Sequence, residues 1–320
     1  MIYDSVLCNL GNTPMIKLCI EEQPALNVYA KMEFMNPTGS VKDRAASYVL
    51  KSMLNAGVID QDTEIVESSS GNFGIALGHY CRYYGLKFHC VIDSNICLEN
   101  ENLVKMLSYK TYKIAERDHT GGYLLNRIKK VNQLISTIPN SYWINQYSNL
   151  QMGEAYYKSL GKEICESVAE IDYVFMAVSS GGTILGVSRC IKERFPNAKV
   201  IAVDIKGSVI FGNPPEKRTI PGMGSSMVPE LVKHAFIDEI MIVDEPTIIL
   251  SCHEFFYKYN ILAGGSSGAV LAAIKSYFAN KDIAAPLNVV TVLPDRGDRY
   301  VSTIYNEAWF SEYLQVNEMK

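Results

Sequence analysis

Residues 36–44 read NPTGSVKDR and place Lys42 at a loop-to-helix junction. Gly39 frees the backbone ahead of it, Thr38 or Ser40 can cap, and the amphipathic run AASYVLKSML follows. A lysine on so short and rigid a tether can form a Schiff base with an aldehyde cofactor. A helix-end lysine taken alone is ordinarily solvated, and three further segments shift that reading. The first is ESSSGNFG, residues 67–74, between a strand and a helix. Its small residues open backbone N–H groups at a helix N-terminus, which suits a carboxylate. The Asn72 amide can hold a phenolic oxygen or a carboxylate. The second is Ser179, Ser180, Gly181, Gly182 and Thr183, which follow the strand DYVFMAV and open another helix. Two glycines with hydroxyls cradle a phosphate by backbone donation. No GK[ST] follows and no GxGxxG is present there, so one phosphate monoester fits better than a nucleotide. The third is AGGSSGAV, residues 263–270, where Ser266 can set a neutral hydroxyl against a ring nitrogen. A plain helix cap would use similar letters.

The elements that must hold these loops are short apolar strands alternating with helical patterns. TEIVE precedes a helix near 72–84, and KFHCVID near 87–93 precedes another. DYVFMAV, KVIAVD, EIMIVD and LNVVTVL complete the set of buried strands. Such runs indicate parallel sheet covered by helices on both faces, an α/β architecture. Ligands in such sheets lie at the carboxyl ends of strands. A smaller α/β domain is expected over 38–145, with 1–37 and 146–320 forming a larger one. The 320 residues are ample for two cores. Hydrophobic content of 48% and charged content of 20% are those of a soluble globular protein. A net charge of −4 without a basic run favours neither nucleic acid nor an anionic membrane. No apolar stretch reaches the roughly 18 residues of a membrane span. The start, MIYDSVLCNLGNTPM, lacks an export signal, so a cytoplasmic protein is expected. Eight cysteines without CxxC spacing read as free thiols, and five histidines show no metal-ligand spacing, so no metal is expected.

A lysine for an aldehyde, a cradle for one phosphate and polar partners for a heteroaromatic ring together describe pyridoxal 5′-phosphate chemistry. From GNTPMIKL to LPDRGDRY, nearly its whole length, the chain resembles the cysteine synthase and cystathionine β-synthase group of fold-type II pyridoxal-phosphate enzymes. The resemblance implies a tryptophan synthase β-like fold of two domains, each with a mainly parallel sheet. It implies that Lys42 carries the cofactor as an imine, that Asn72 meets the ring 3′ oxygen, that 179–183 hold the phosphate and that Ser266 meets the pyridine nitrogen. Ser69, Ser70 and Asn72, helped by Gln146, would take the amino acid's carboxylate. A neutral serine at the ring nitrogen stabilises a full carbanion less than a carboxylate would, which favours prompt loss of a β-leaving group. Lys42, once freed, would remove the α-proton, and a nucleophile would add to the resulting aminoacrylate.

Departures from the family point to the second substrate. Cysteine synthases usually read TSGNTG and GTGGT where this chain reads SSGNFG and SSGGT, so Phe73 and Ser179 replace smaller residues. HTGGYLLNRIKKVNQLI carries Arg127, and SYWINQYSN places Tyr147 beside Gln146. With AVDIKGSVIFG and LPDRGDRY, these segments resemble the synthases of 2,3-diaminopropionate biosynthesis, such as the one serving the siderophore staphyloferrin B. That subgroup joins O-phospho-L-serine to L-glutamate, giving N-(1-amino-1-carboxyl-2-ethyl)-glutamate and phosphate. Glutamate brings two carboxylates, so a bidentate cation is expected at the pocket mouth. Arg127 is the candidate, with Tyr147 and Ser179 as hydrogen-bonding partners. Arg296 and Lys206, past predicted strands, are weaker candidates for the leaving phosphate. The alternative is a cysteine synthase acting on O-acetylserine or O-phosphoserine, and a second is a catalytically idle regulatory relative, against which Lys42 counts. The sequence ends soon after LPDRGDRY, so a full-length cystathionine β-synthase with its regulatory module is not expected. The resemblance also implies a homodimer.

Overall fold

The computed structural model describes residues 2–318. Ten strands form among the described residues: β1 (Met15–Leu18), β2 (Leu26–Met32), β3 (Glu64–Ser68), β4 (Phe88–Asp93), β5 (Lys110–Ile114), β6 (Ser141–Trp143), β7 (Tyr173–Ala177), β8 (Lys199–Ile205), β9 (Glu239–Val243) and β10 (Leu287–Leu293). They make a six-stranded sheet, β1-β2-β10-β7-β8-β9, and a four-stranded sheet, β5-β4-β3-β6. Every pairing is parallel except β1 with β2. The helices are α1 (Lys42–Asn55), α2 (Asn72–Tyr83), α3 (Leu98–Leu107), α4 (Leu124–Thr137), α5 (Gln151–Tyr156), α6 (Lys162–Ser167), α7 (Gly182–Arg194), α8 (Glu245–Tyr259), α9 (Gly265–Phe278) and α10 (Glu307–Glu318). No described helix is long and apolar enough to cross a membrane.

Alternation along the strands covers both faces of the larger sheet. Val174 and Met176 of β7 point into a core shared with α7, while Phe175 between them points into the core beneath α9. The first of these cores runs on, without a break, to α1, α2 and the small sheet. Helix α1 packs on both α2 and α5, so the lysine at its start sits where the two sheets meet.

Strand β9 departs from the expectation of a buried strand. It is an edge, and Ile240 and Ile242 are 49% and 42% exposed. Neither Thr38 nor Ser40 is the N-cap of α1, which is Val41 without a side-chain cap bond; both brace the turn before it. Ser40 Oγ accepts from the Lys42 amide at 3.3 Å, whereas Thr38 bonds the Asp43 carboxylate through both its amide and its hydroxyl. The lysine loop is fastened to the loop after β10. Val41 N–H donates to Pro294 O at 2.8 Å, Arg296 N–H donates to Gly39 O at 3.3 Å, and Ser40 bridges Asp295.

Candidate active site

Two adjoining cavities open at the carboxyl ends of the parallel strands. The inner one is lined by Lys42, Asn72, Ser179, Ser180, Gly181, Thr183, Ser266 and Asp295. The outer cleft, with about 1210 Å³ of empty space, shares Lys42, Asn72 and Ser179 with it and adds Ser69, Ser70, Phe73, Arg127, Gln146 and Tyr147. Residues distributed over the whole sequence are therefore assembled in one place, with the Lys42 amine on the wall common to both.

Lys42 Nζ donates to Ser180 Oγ at 3.3 Å. Burial pushes its pKa down to about 8, and the Asp295 carboxylate offsets only part of that. An amine attacks an aldehyde in its neutral form. The cofactor-free protein should therefore take up pyridoxal 5′-phosphate about tenfold faster per pH unit below about 8, with a plateau above it. Stopped-flow absorbance measures this, and a rate still climbing towards pH ~10, as for an exposed lysine, would refute the burial argument.

The phosphate cradle is built by the turn from β7 into α7. Gly181 has φ +87° and caps the helix, in the left-handed region that favours glycine. A Cβ there would lie 2.7 Å from Val232 Cγ2. Bare amides at the start of a 13-residue helix, beside the Ser180 and Thr183 hydroxyls, fit a phosphate. Ser179 Oγ donates to Gly224 O at 3.2 Å, tying the cradle to the loop that forms the far wall of the cleft. Ser266, 5% exposed at the start of α9, lines the inner cavity.

The loop after β3 is a hydrogen-bonded unit. Ser69 Oγ accepts from the amides of Gly71 and Gly74 at 3.4 and 2.9 Å, so its hydroxyl serves the start of α2. Ser70 Oγ donates to Asp93 Oδ2 at 2.9 Å and accepts from Arg127 Nη1 at 3.0 Å. Arg127 Nε stands 3.2 Å from the same Asp93 oxygen, so the guanidinium is braced by the loop it faces. Tyr147 lies against it; burial raises the phenol's pKa, while Arg127 acts to lower it. Gln146 Nε2 donates to Ser68 O at 3.0 Å. Beneath them Glu67, fully buried, accepts from the amides of Ser68 and Gln146 and from Trp143 Nε1, yet burial still drives its pKa up to about 7. Phe73 is 2% exposed and belongs mainly to the core, with one edge on the cleft.

Two expected phosphate ligands are placed elsewhere. Lys206 lies 3.8 Å from Glu216, and Arg296 Nε donates to Phe34 O; both line neither cavity. Each follows a strand as expected, but its side chain is turned to its own partner. The cleft instead draws Arg117, Lys217 and Arg218 to its wall. Asp93 and Asp295 also line the cavities, though no motif in the sequence gives either a role. Both sit at the carboxyl ends of buried strands, where a carboxylate needs partners, and that position was the available signal.

The inner cavity's residues fit one aldehyde cofactor carrying one phosphate. The chain belongs to the pyridoxal-phosphate dependent enzymes: the model of that family matches residues 6–295. It is similar to the O-acetylserine dependent cystathionine beta-synthase of Helicobacter pylori, at 30% identity over 96% of this chain and 100% of that one, with a TM-score of 0.88. A hydrogen sulfide-producing enzyme of Fusobacterium nucleatum is 28% identical over 93% of this chain and 100% of its own, with a TM-score of 0.85. An O-ureido-L-serine synthase with O-ureido-L-serine bound is 25% identical over 98% and 99% of the two chains, with a TM-score of 0.87. Enzymes of this family use pyridoxal 5′-phosphate and act on small amino acids; the Helicobacter pylori enzyme and the O-ureido-L-serine synthase are named for serine derivatives.

Proposed function

We propose that this enzyme joins O-phospho-L-serine and L-glutamate by β-replacement, releasing phosphate and N-(1-amino-1-carboxyl-2-ethyl)-L-glutamate for 2,3-diaminopropionate biosynthesis. The cofactor supplies an electron sink for loss of the substrate's α-proton. Lys42, whose amine pKa burial has lowered, takes that proton and returns it. Ser69, Ser70 and Gln146 orient the amino acid's carboxylate together with the loop amides at the start of α2, that of Asn72 among them. The observation that carries the reading is the braced Arg127, in the same cleft as Lys42 and in contact with Ser70. Sulfide needs no cation, whereas a dicarboxylate nucleophile does. Arg117, Lys217 and Arg218 on the cleft wall add positive charge for a phosphorylated substrate. A cytoplasmic homodimer, with residues 38–145 moving as a unit over the remainder, belongs to the same proposal.

Mass analysis of products from O-phosphoserine offered glutamate and sulfide together is the test. The glutamate adduct with stoichiometric phosphate is expected; cysteine with no adduct would identify a sulfhydrylase. Arg127→Ala should raise the glutamate KM about tenfold or more, the loss of one charge-assisted contact. An unchanged KM would remove Arg127 from the site.

A further inference from the structure

The motif LPDRGDRY fills the wall behind Asn72 with three side chains to which no part of the chemistry above has been assigned. Asp295 is 2% exposed, and its Oδ2 accepts from Asn72 Nδ2 at 2.7 Å and from the Tyr300 hydroxyl. Asp295 Oδ1 is buried without a hydrogen-bond partner among the described residues. Arg299, 6% exposed, donates through Nη1 to Asn72 Oδ1 and through Nη2 to Thr38 O in the lysine loop. The Asn72 amide is thus gripped at both ends by opposite charges. Its oxygen is held by the guanidinium and one N–H by the carboxylate, which leaves the second N–H as its free donor. An unclamped amide can turn over and present its oxygen instead. The wall of both cavities at Asn72 is therefore a fixed donor.

We infer that Arg299 and Asp295 are positioning residues that lock the Asn72 amide with its N–H towards the cofactor, so that the site favours an ionised oxygen on the ring. Arg299 also binds Thr38 O, and the backbone of 294–296 is bonded to residues 39–41. The same segment therefore sets the distance between the Asn72 donor and the Lys42 amine. The inference rests on the family's cofactor and on neither of the substrates proposed above.

Cofactor-free protein titrated with pyridoxal 5′-phosphate, followed by its absorption spectrum, tests it without any substrate. Arg299→Gln and Asp295→Asn should each weaken cofactor binding about tenfold, the worth of a hydrogen bond to a charged group. Each should also move absorbance from the visible band, which marks an ionised ring oxygen, to the near-ultraviolet band of the neutral ring. In an Asn72→Ala background Arg299→Gln should have little further effect, because the guanidinium acts through the amide. If Arg299→Gln does not accumulate as folded protein, Asp295→Asn carries the same cycle. Unaltered spectra and affinities in both variants, or an equal loss with and without the Asn72 side chain, would overturn the inference.

Discussion

Lys42→Ala should reduce turnover by at least about 10⁴-fold, or some 5 kcal/mol of barrier. The variant should also lose the absorbance of covalently held cofactor while still binding it through the cradle. The size of the effect follows from the doubling of roles on one amine, which attaches the cofactor and moves the α-proton. Among the described residues no other lysine lines the inner cavity, so no neighbour can substitute. Steady-state rates and absorption spectra check this on one preparation. Retention of a tenth of the parent activity would mean that another base does the work.

The second large effect is on stability. Two residues past Lys42, Arg44 is 2% exposed and inserts its guanidinium between two carboxylates. Its Nε lies 2.6 Å from Glu33 Oε2 and its Nη1 lies 2.6 Å from Glu163 Oε1. Glu33 is fully buried and also accepts from Thr13 Oγ1 at 2.6 Å and Asn36 Nδ2 at 2.8 Å. Lys31 Nζ, 2.8 Å from Glu163 Oε2, balances the second carboxylate. Arg44→Ala strands the Glu33 charge without a cation, which costs about 3–5 kcal/mol. The double change Glu33→Gln with Arg44→Met should lose less than Arg44→Ala alone, because no uncompensated charge remains. Urea unfolding midpoints report both. An Arg44→Ala midpoint equal to the parent's would show that the network is stabilised elsewhere. Because the network pins the first turn of α1, cofactor affinity should fall with it.

The strands that could be read from the sequence were those whose apolar runs have no competing interpretation. β3, β4, β7, β8 and β10 fall where TEIVE, KFHCVID, DYVFMAV, KVIAVD and LNVVTVL stand. Strands β5 and β6 escaped notice because KTYKI and SYW lie at the two edges of the small sheet, where alternating or partial exposure weakens the apolar signal. Strand β2 carries Lys31 into a 2% exposed position, which a hydropathy pattern reads as a break; the compensating Glu163 is far away in sequence. The residues that line the inner cavity, Lys42, those of the 179–183 turn and Ser266, could be singled out from the sequence because each lies at a helix start beside small residues, a local and recognisable arrangement. The Asn72 clamp was not. Its partners lie 223 and 227 residues downstream, and only the folded chain brings Asp295 and Arg299 to one amide. Lys206 and Arg296 mark the opposite limit: a position just past a strand does not decide which way a long side chain turns.

Reduction of the cofactor-loaded enzyme with borohydride, followed by proteolysis and mass mapping of the peptides, tests the assignment on which the rest depends. One pyridoxyl phosphate per chain, borne on Lys42, is the expected result. A label on a different lysine, or no label on protein that has bound the cofactor, would contradict it.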